Sequence, residues 1–510
     1  MNRLIDRRRF FQSVASTAIA GGLGLSWAEA AEPKTTPQRI PSASYKPNPF
    51  AAKLPIWQLA RPKAALPNSY FWTWDRRCNW MRDDPGMIDY GSNGIYLKKP
   101  ETFVEDYRRL TDFSAGLGVK GITIWGFLRD NHGGIDAAKR VIDYANSKNV
   151  AIMPGIGTNA YGGVYYRGDH PYNMETFLKK HPEVASVSTH KGHCAVCPSH
   201  PRFQDWIREG IQWLFKEFEI GGANLENGDR GLCNCPRCKK LRAEAPKGEV
   251  PFWQDQYLGY APALEVLKPH LKEKLIVWAT YQGFLPGTAP TKQDKYAFLG
   301  ESKPRVFDRL PREAIAQWNM SWMMRKKPLP LTAYLDDGAP HKALNHDLWK
   351  EGAKPPVPRN VAYVTRGMLS DRCRTHISHI KEACLCGYRA GLEGISMYGE
   401  VSSTIVPYAL NYLAFSHFIH WPEDTMRQFG VKTLGQVLGS EEEGEAFTEY
   451  LSHWDARSLS DAQKKDAFKR AAALKDQVRY QGKGLDRWRF WNWLTLMMKG
   501  WVEPETVSIT

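Results

Sequence analysis

Eight short runs rich in β-branched and aromatic residues recur between Ser69 and Glu400, with helical stretches between them. The runs are SYFWTW (69–74), GITIWGF (121–127), VAIMPGIG (150–157), GANLEN (222–227), LIVWATY (275–281), AIAQWNMSW (314–322), NVAYVTRG (360–367) and GISMYGE (394–400). Phe103, Tyr107, Leu110 and Phe113 share one helical face, as do Phe203, Ile207, Ile211, Leu214 and Phe218. Helices also fit residues 134–147, 253–271, 373–389 and 407–419. Strands that alternate with helices run parallel, because each crossover returns the chain to the same end of the sheet. Eight such units over about 350 residues predict a (β/α)8 barrel with long βα loops. The rival is a doubly wound open sheet, but no G-x-G-x-x-G follows the first run to give it a dinucleotide site. Helical patterning is weak after the fifth and sixth runs, where long loops are expected.

The segments outside this region carry other signals. Residues 1–30 place Arg7-Arg8 before Phe10-Phe11, then a Gly/Ala/Ser-rich stretch that closes on Ala28-Glu29-Ala30. That layout predicts a twin-arginine export signal with a peptidase site, hence a periplasmic or extracellular protein. Residues 31–67 form a Pro-rich arm, 68–425 the catalytic barrel, and 426–510, charged and helical, a C-terminal appendage. A composition of 43% hydrophobic and 24% charged residues excludes a disordered chain. Without an apolar run of about 18 residues after the signal, no membrane insertion is expected once the signal is removed. The net charge is +15, and losing four Arg and two acids with the signal leaves about +13. A basic surface favours anionic partners. An exported protein seldom meets nucleic acid, so the basic surface suits an acidic or sulfated glycan or is simply a solvated face; a glycan is the expected partner, and the oligomeric state is open.

In barrels of this kind the chemistry sits on the loops after the strand C-termini. Trp74, Asp75, Arg76 and Arg77 end the first run; Trp125, Arg129, Asp130, Asn131 and His132 end the second. Asn159 and Tyr161 follow the third, Tyr281 the fifth, Trp322 the sixth and Arg366 the seventh, while Tyr398 lies near the end of the eighth. Amides, Arg and aromatic rings on one rim suit a sugar, which offers CH faces for stacking and hydroxyls for hydrogen bonds. Trp278, Trp318 and Tyr165 are further stacking candidates. The arginines either grip a carboxylate or sulfate bidentately or form salt bridges along the barrel rim. In GGANLENGDRG, Glu226 ends an apolar strand and Asp229 follows three residues on. Glycoside hydrolysis needs one protonated and one ionised carboxyl flanking the scissile bond, and burial near a second carboxylate suits the acid. Glu400, at the end of the eighth run, is the third candidate; in an eight-stranded ring it stands across from Glu226. Ordinary turn or ion-pair roles are the alternative for each.

Cys194-x-x-Cys197 follows the third run and Cys233-x-Cys235-x-x-Cys238 the fourth, so adjacent strands bring these five thiols together. They fit either a structural four-thiolate zinc site or one to two disulfides. An oxidising destination favours disulfides, while export in the folded state permits a metal loaded beforehand. No cofactor is expected for catalysis, since an all-thiolate shell leaves no open position on the metal.

Two segments carry a family resemblance: NLENGDRGLCNCPRC (224–238) and YGEVSSTIVPYALNYLAFSHFIHWPED (398–424). Together they resemble the barrel domains of bacterial α-glucuronidase-like glycoside hydrolases and their exported relatives, over about 69–425 of this chain. The resemblance implies a (β/α)8 barrel, exo-action on a glycan, and acid/base roles near Glu226, Asp229 and Glu400. The expected function is an exported glycoside hydrolase. The alternative is a catalytically silent barrel that binds glycan or cell wall through the same aromatic platforms.

Overall fold

Each of the eight runs forms a strand: β1 (Tyr70–Trp74), β2 (Gly121–Trp125), β3 (Ala151–Gly157), β4 (Gly222–Glu226), β5 (Leu275–Ala279), β6 (Ile315–Asn319), β7 (Asn360–Val364) and β8 (Gly394–Tyr398). The computed structural model describes residues 56–80, 98–187, 196–227, 233–245, 251–280, 282–285, 305–324, 329–336, 354–364, 375–456, 459–481 and 485–503. The strands pair in parallel and in sequence order, and β8 returns to β1 to close the ring. The fold is therefore a (β/α)8 barrel. β2, β4, β5 and β6 are buried at every position, as strands covered on both faces must be.

Helices between the strands cover the outside. They include α1 (Pro100–Leu117), α2 (Gly134–Ser147), α3 (Pro201–Glu217), α4 (Pro251–Leu267), α5 (Ile377–Arg389) and α6 (Val406–His420). α1 starts with Pro at its first position and ends where Gly118, at φ 71°, returns its N–H to the last turn. Its buried face carries Phe103, Tyr107, Leu110 and Phe113, as the periodicity predicts. Each buried Phe or Leu contributes about 2 kcal/mol, so packing rather than helix propensity holds it in place. The weak patterning after β5 and β6 has its counterpart: the described elements there are a 3-10 turn at Arg305–Arg309, a one-turn helix Met320–Met323 and a 3-10 turn at Leu331–Tyr334.

All fifteen residues of α6 are buried, because it is covered by the barrel on one side and the C-terminal helices on the other. Those helices include α7 (Glu441–Ala456), α8 (Asp461–Gln481) and α9 (Leu485–Val502). The described end of the N-terminal arm is anchored to α9 and α1. Trp57 donates from Nε1 to Asp486 Oδ2 at 2.8 Å and packs 5.4 Å from Phe113 and 6.3 Å from Phe490. No helix among the described residues is long and apolar enough to cross a membrane.

Candidate active site

Side chains alternate across a strand, so Tyr70, Trp72 and Trp74 of β1 all face one way. Tyr70 packs with Met153, Leu275, Val277, Ile315 and Val361 in a cluster separate from the outer core, which identifies the barrel lumen. Above it, Trp72 stands 5.2 Å from Tyr398, 5.5 Å from Trp74 and 6.4 Å from Trp125. Trp74 lies 5.6 Å from Trp125, 6.1 Å from Tyr161 and 6.0 Å from Tyr166. The Arg76 guanidinium covers the Trp74 ring at 4.8 Å. Trp125 is wholly buried while Trp72, Trp74, Tyr161, Tyr166 and Tyr398 are partly exposed, so the rings form a well with Trp125 in its wall. Gly155 makes the space: a Cβ there would lie 2.4 Å from the Trp125 ring. Trp72 and Tyr166 were not foreseen, although the period-2 alternation from Tyr70 to Trp74 already placed Trp72 on the inner face.

Gly155 pairs with Asn224 in register, and Gly157 with Glu226, so Glu226 stands one inward position above Asn224. Asn224 donates to Gln317 Oε1 at 2.8 Å, and Tyr70 donates its hydroxyl to the same oxygen at 2.5 Å. This knot across the lumen leaves Asn224 Oδ1 and Gln317 Nε2 without a protein partner. Glu226 is buried but for 6% of its surface. Burial pushes the Tyr70 and Tyr260 hydroxyls above the usual phenol range, and the nearby Glu226 charge adds to it in both. The backbone N–H of Asn227, next in the chain, donates to the Tyr260 hydroxyl at 3.3 Å, and that hydroxyl donates to Ala279 O at 2.5 Å.

Asp75 organises the neighbouring rim. Arg129 donates from Nε to its Oδ2 at 2.7 Å, and His132 Nε2 lies 3.4 Å from that oxygen. The His132 ring stacks on Phe103 at 3.7 Å. Burial opposes the charge on Asp75, but the His132 hydrogen bond and the Arg129 and His132 charges outweigh it and hold the carboxyl below its ordinary range. Arg129 thus forms the rim salt bridge that was its alternative role, and His132, also a candidate substrate contact, is buried against the same Asp75. A buried carboxylate needs a cation in close contact more than a solvated sugar does.

Glu400 has no exposed surface. Its Oε1 accepts the Trp74 N–H at 2.6 Å, and Oε2 has no hydrogen-bond partner. Burial pushes its carboxyl up to about 7, against the opposing pull of Arg77, the Trp74 N–H, Arg76 and Lys98. β4 and β8 are four stations apart in the closed ring, so the two glutamates stand on opposite sides, as the strand count predicts.

Other expected contacts lie elsewhere. Asn159 faces α4, where a Cβ on Gly259 would come within 2.3 Å of its Oδ1. Asn131 is exposed on a 3-10 turn. Trp278 and Trp318 are outer core, packed on Phe307 at 5.6 and 6.0 Å, and Tyr165 is buried there too. Asp229, Tyr281, Arg366, Cys194 and the export signal lie outside the described residues, as does the side chain of Trp322. Cys197, Cys233, Cys235 and Cys238 do converge beside the β3 and β4 rim.

No family model matches this sequence, and no curated protein matches it. Among solved structures, a chitobiase of Flavobacterium johnsoniae is similar in fold at 12% identity and a TM-score of 0.36, over 71% of this chain and 51% of that one. A β-N-acetylhexosaminidase of Bacteroides fragilis is similar at 11% identity and TM-score 0.38, over 69% of this chain and 66% of that one. An α-amylase of Geobacillus thermoleovorans is similar at 10% and 0.38, over 71% and 80%. The chain thus spans about half the length of the chitobiase. These likenesses concern architecture alone and do not extend to α-glucuronidases specifically.

Proposed function

We propose that the barrel mouth is the active site of an exported glycoside hydrolase acting on an oligo- or polysaccharide, with acidic or sulfated glycans as the preferred class. The observation that carries this reading is the aromatic well of Trp72, Trp74, Tyr161 and Tyr398 at the same end of the lumen as the strand-end carboxylate Glu226. Partly exposed rings offer faces on which a pyranose stacks. The free valences of Asn224 and Gln317 beneath them suit hydroxyl groups or water. Glu226 acts as general acid, donating a proton to the glycosidic oxygen as the C–O bond breaks. Asp229 serves as its ionised partner, delivering water or attacking the anomeric carbon. Glu400, sealed under the Trp74 backbone, is a positioning residue that fixes the end of β1 and so the Trp74 platform. The basic net charge supports an anionic substrate, with Arg76, whose guanidinium covers the Trp74 ring, the cation to receive it.

The test compares wild type with Glu226→Gln on aryl glycosides and on acidic plant and algal polysaccharides. Loss of a general acid lowers turnover by about 10²–10⁴-fold, with glycan binding retained. Equal silence from both proteins, with equal binding, would replace this reading by the glycan-binding barrel.

A further inference from the structure

We propose that Cys197, Cys233, Cys235 and Cys238 bind one zinc ion in a closed four-thiolate site that clamps the loop after β3 to the loop after β4. Their Sγ atoms all lie within 4.8 Å of one another. Cys197 Sγ is 3.6 Å from Cys235 Sγ and 3.6 Å from Cys238 Sγ. Four sulfurs bound tetrahedrally to zinc at about 2.3 Å stand about 3.8 Å apart. A disulfide closes to about 2.05 Å and joins one sulfur to one other. One sulfur equidistant from two neighbours is metal-site geometry.

The surroundings point the same way. The short helix Pro236–Ala243 buries a single side chain, Cys238. Among the described residues, the apolar cluster that receives it consists of the four cysteines. Four thiol groups supply too little apolar area to hold a helix on a barrel, whereas a structural zinc contributes folding free energy directly. Polar groups capable of donating hydrogen bonds stand beside the sulfurs, as thiolates require. Cys238 N–H donates to Cys235 Sγ at 3.4 Å, and Ser199 Oγ lies 2.9 Å from Cys238 Sγ and 3.3 Å from Cys197 Sγ. Zinc with four thiolates carries two net negative charges, and the helix supplies Arg237, Lys239, Lys240 and Arg242 with no acid. Arg242 also donates to Cys233 O at 2.8 Å and Arg237 to Ser199 O at 3.3 Å.

Four sulfur ligands leave zinc no open position, so the site is structural. Binding takes up one Zn²⁺ and releases the protons of the thiols that ionise. The clamp reaches the barrel on both sides. Cys197 N–H donates to Val184 O at 2.8 Å and Val196 N–H to Asn159 O at 3.2 Å, while Cys233 lies in the segment that leaves Glu226.

Metal analysis of the full-length chain, purified without chelator, tests the site. One zinc per chain is expected, released as a mercurial reagent titrates four thiols. Cys197→Ser and Cys238→Ser each lose the metal, whereas Cys384→Ser, in α5, keeps it. Cobalt in place of zinc gives sulfur-to-cobalt charge transfer and the red ligand-field bands of a tetrahedral thiolate complex. Wild-type protein without stoichiometric metal overturns the proposal, whether its cluster thiols are free or appear only after reduction, and iron in place of zinc overturns the metal assignment. Wild-type content decides even where a variant fails to fold, and no readout depends on sugar hydrolysis.

Discussion

Glu400→Gln isolates the electrostatics of a sealed carboxyl. Burial raises Glu400 from an ordinary 4.5 to about 7, a change worth about 3 kcal/mol between folded and unfolded states. The folded chain keeps this proton up to about pH 7, and the unfolded chain releases it near 4.5. Above 4.5 the unfolded state therefore binds fewer protons. The stabilisation is complete below that value and is lost as pH rises through about 7. Gln preserves the acceptor for the Trp74 N–H but puts an amide where Oε2 has no partner. An unmet buried donor costs about 1–3 kcal/mol at every pH. The variant's penalty is thus constant while wild type loses stability as pH rises, so the gap between them shrinks or reverses. Urea unfolding at about pH 4 and about pH 8 measures the change, expected to favour the variant by about 3 kcal/mol. A difference independent of pH would show that Arg77, Arg76 and Lys98 already hold Glu400 ionised, and would refute the dominance of burial.

Gly155→Ala drives a methyl into the Trp125 ring; a loss of about 1–3 kcal/mol by denaturant unfolding is expected, with altered near-ultraviolet dichroism from the displaced indole. Arg129→Met removes the cation that donates to buried Asp75, so stability falls by about 3–5 kcal/mol. Unchanged stability with weakened glycan binding would instead make Arg129 a substrate contact. Trp74→Ala keeps the backbone N–H that Glu400 accepts but removes the platform; a loss of about 0.5–1.5 kcal/mol in glycan affinity by calorimetry is expected, and an unaltered affinity would remove Trp74 from the site.

The barrel was legible because its signal is redundant. Eight buried strands must each be an apolar run, and the intervening helices repeat one periodicity, so a single ambiguous segment does not change the count. The site was less legible, because a strand-end side chain can face substrate or a neighbouring loop. Arg129, His132 and Asn159 sit where substrate contacts are expected, yet Asp75 and α4 receive them. Their partners come from other strands and helices, and only pairing in space reveals them. The cysteine spacing fixed the neighbourhood of four thiols but not their distances, on which the choice between metal and disulfide turns.

The mouth is braced by two different chemistries on neighbouring arcs. Around β1, β2 and β8 the loops are tied by buried polar bonds: Arg129 to Asp75, Trp74 N–H to Glu400, Trp80 Nε1 to Gly399 O at 2.7 Å and Asn79 N–H to Glu400 O at 2.9 Å. Around β3 and β4 the cysteine cluster, with no other apolar residue behind it among the described residues, adds to backbone bonds such as Thr158 N–H to Glu226 O at 2.7 Å. A proton donor must be held within about 0.5 Å of its productive position, at hydrogen-bond distance from its acceptor, and Glu226 belongs to the second arc. Removing metal should therefore loosen the carboxylate side of the mouth while leaving the aromatic side intact. Glycan binding through Trp72 and Trp74 would then survive metal loss better than turnover does. Equal loss of both would mean that the two arcs unfold together and that the clamp serves the whole barrel.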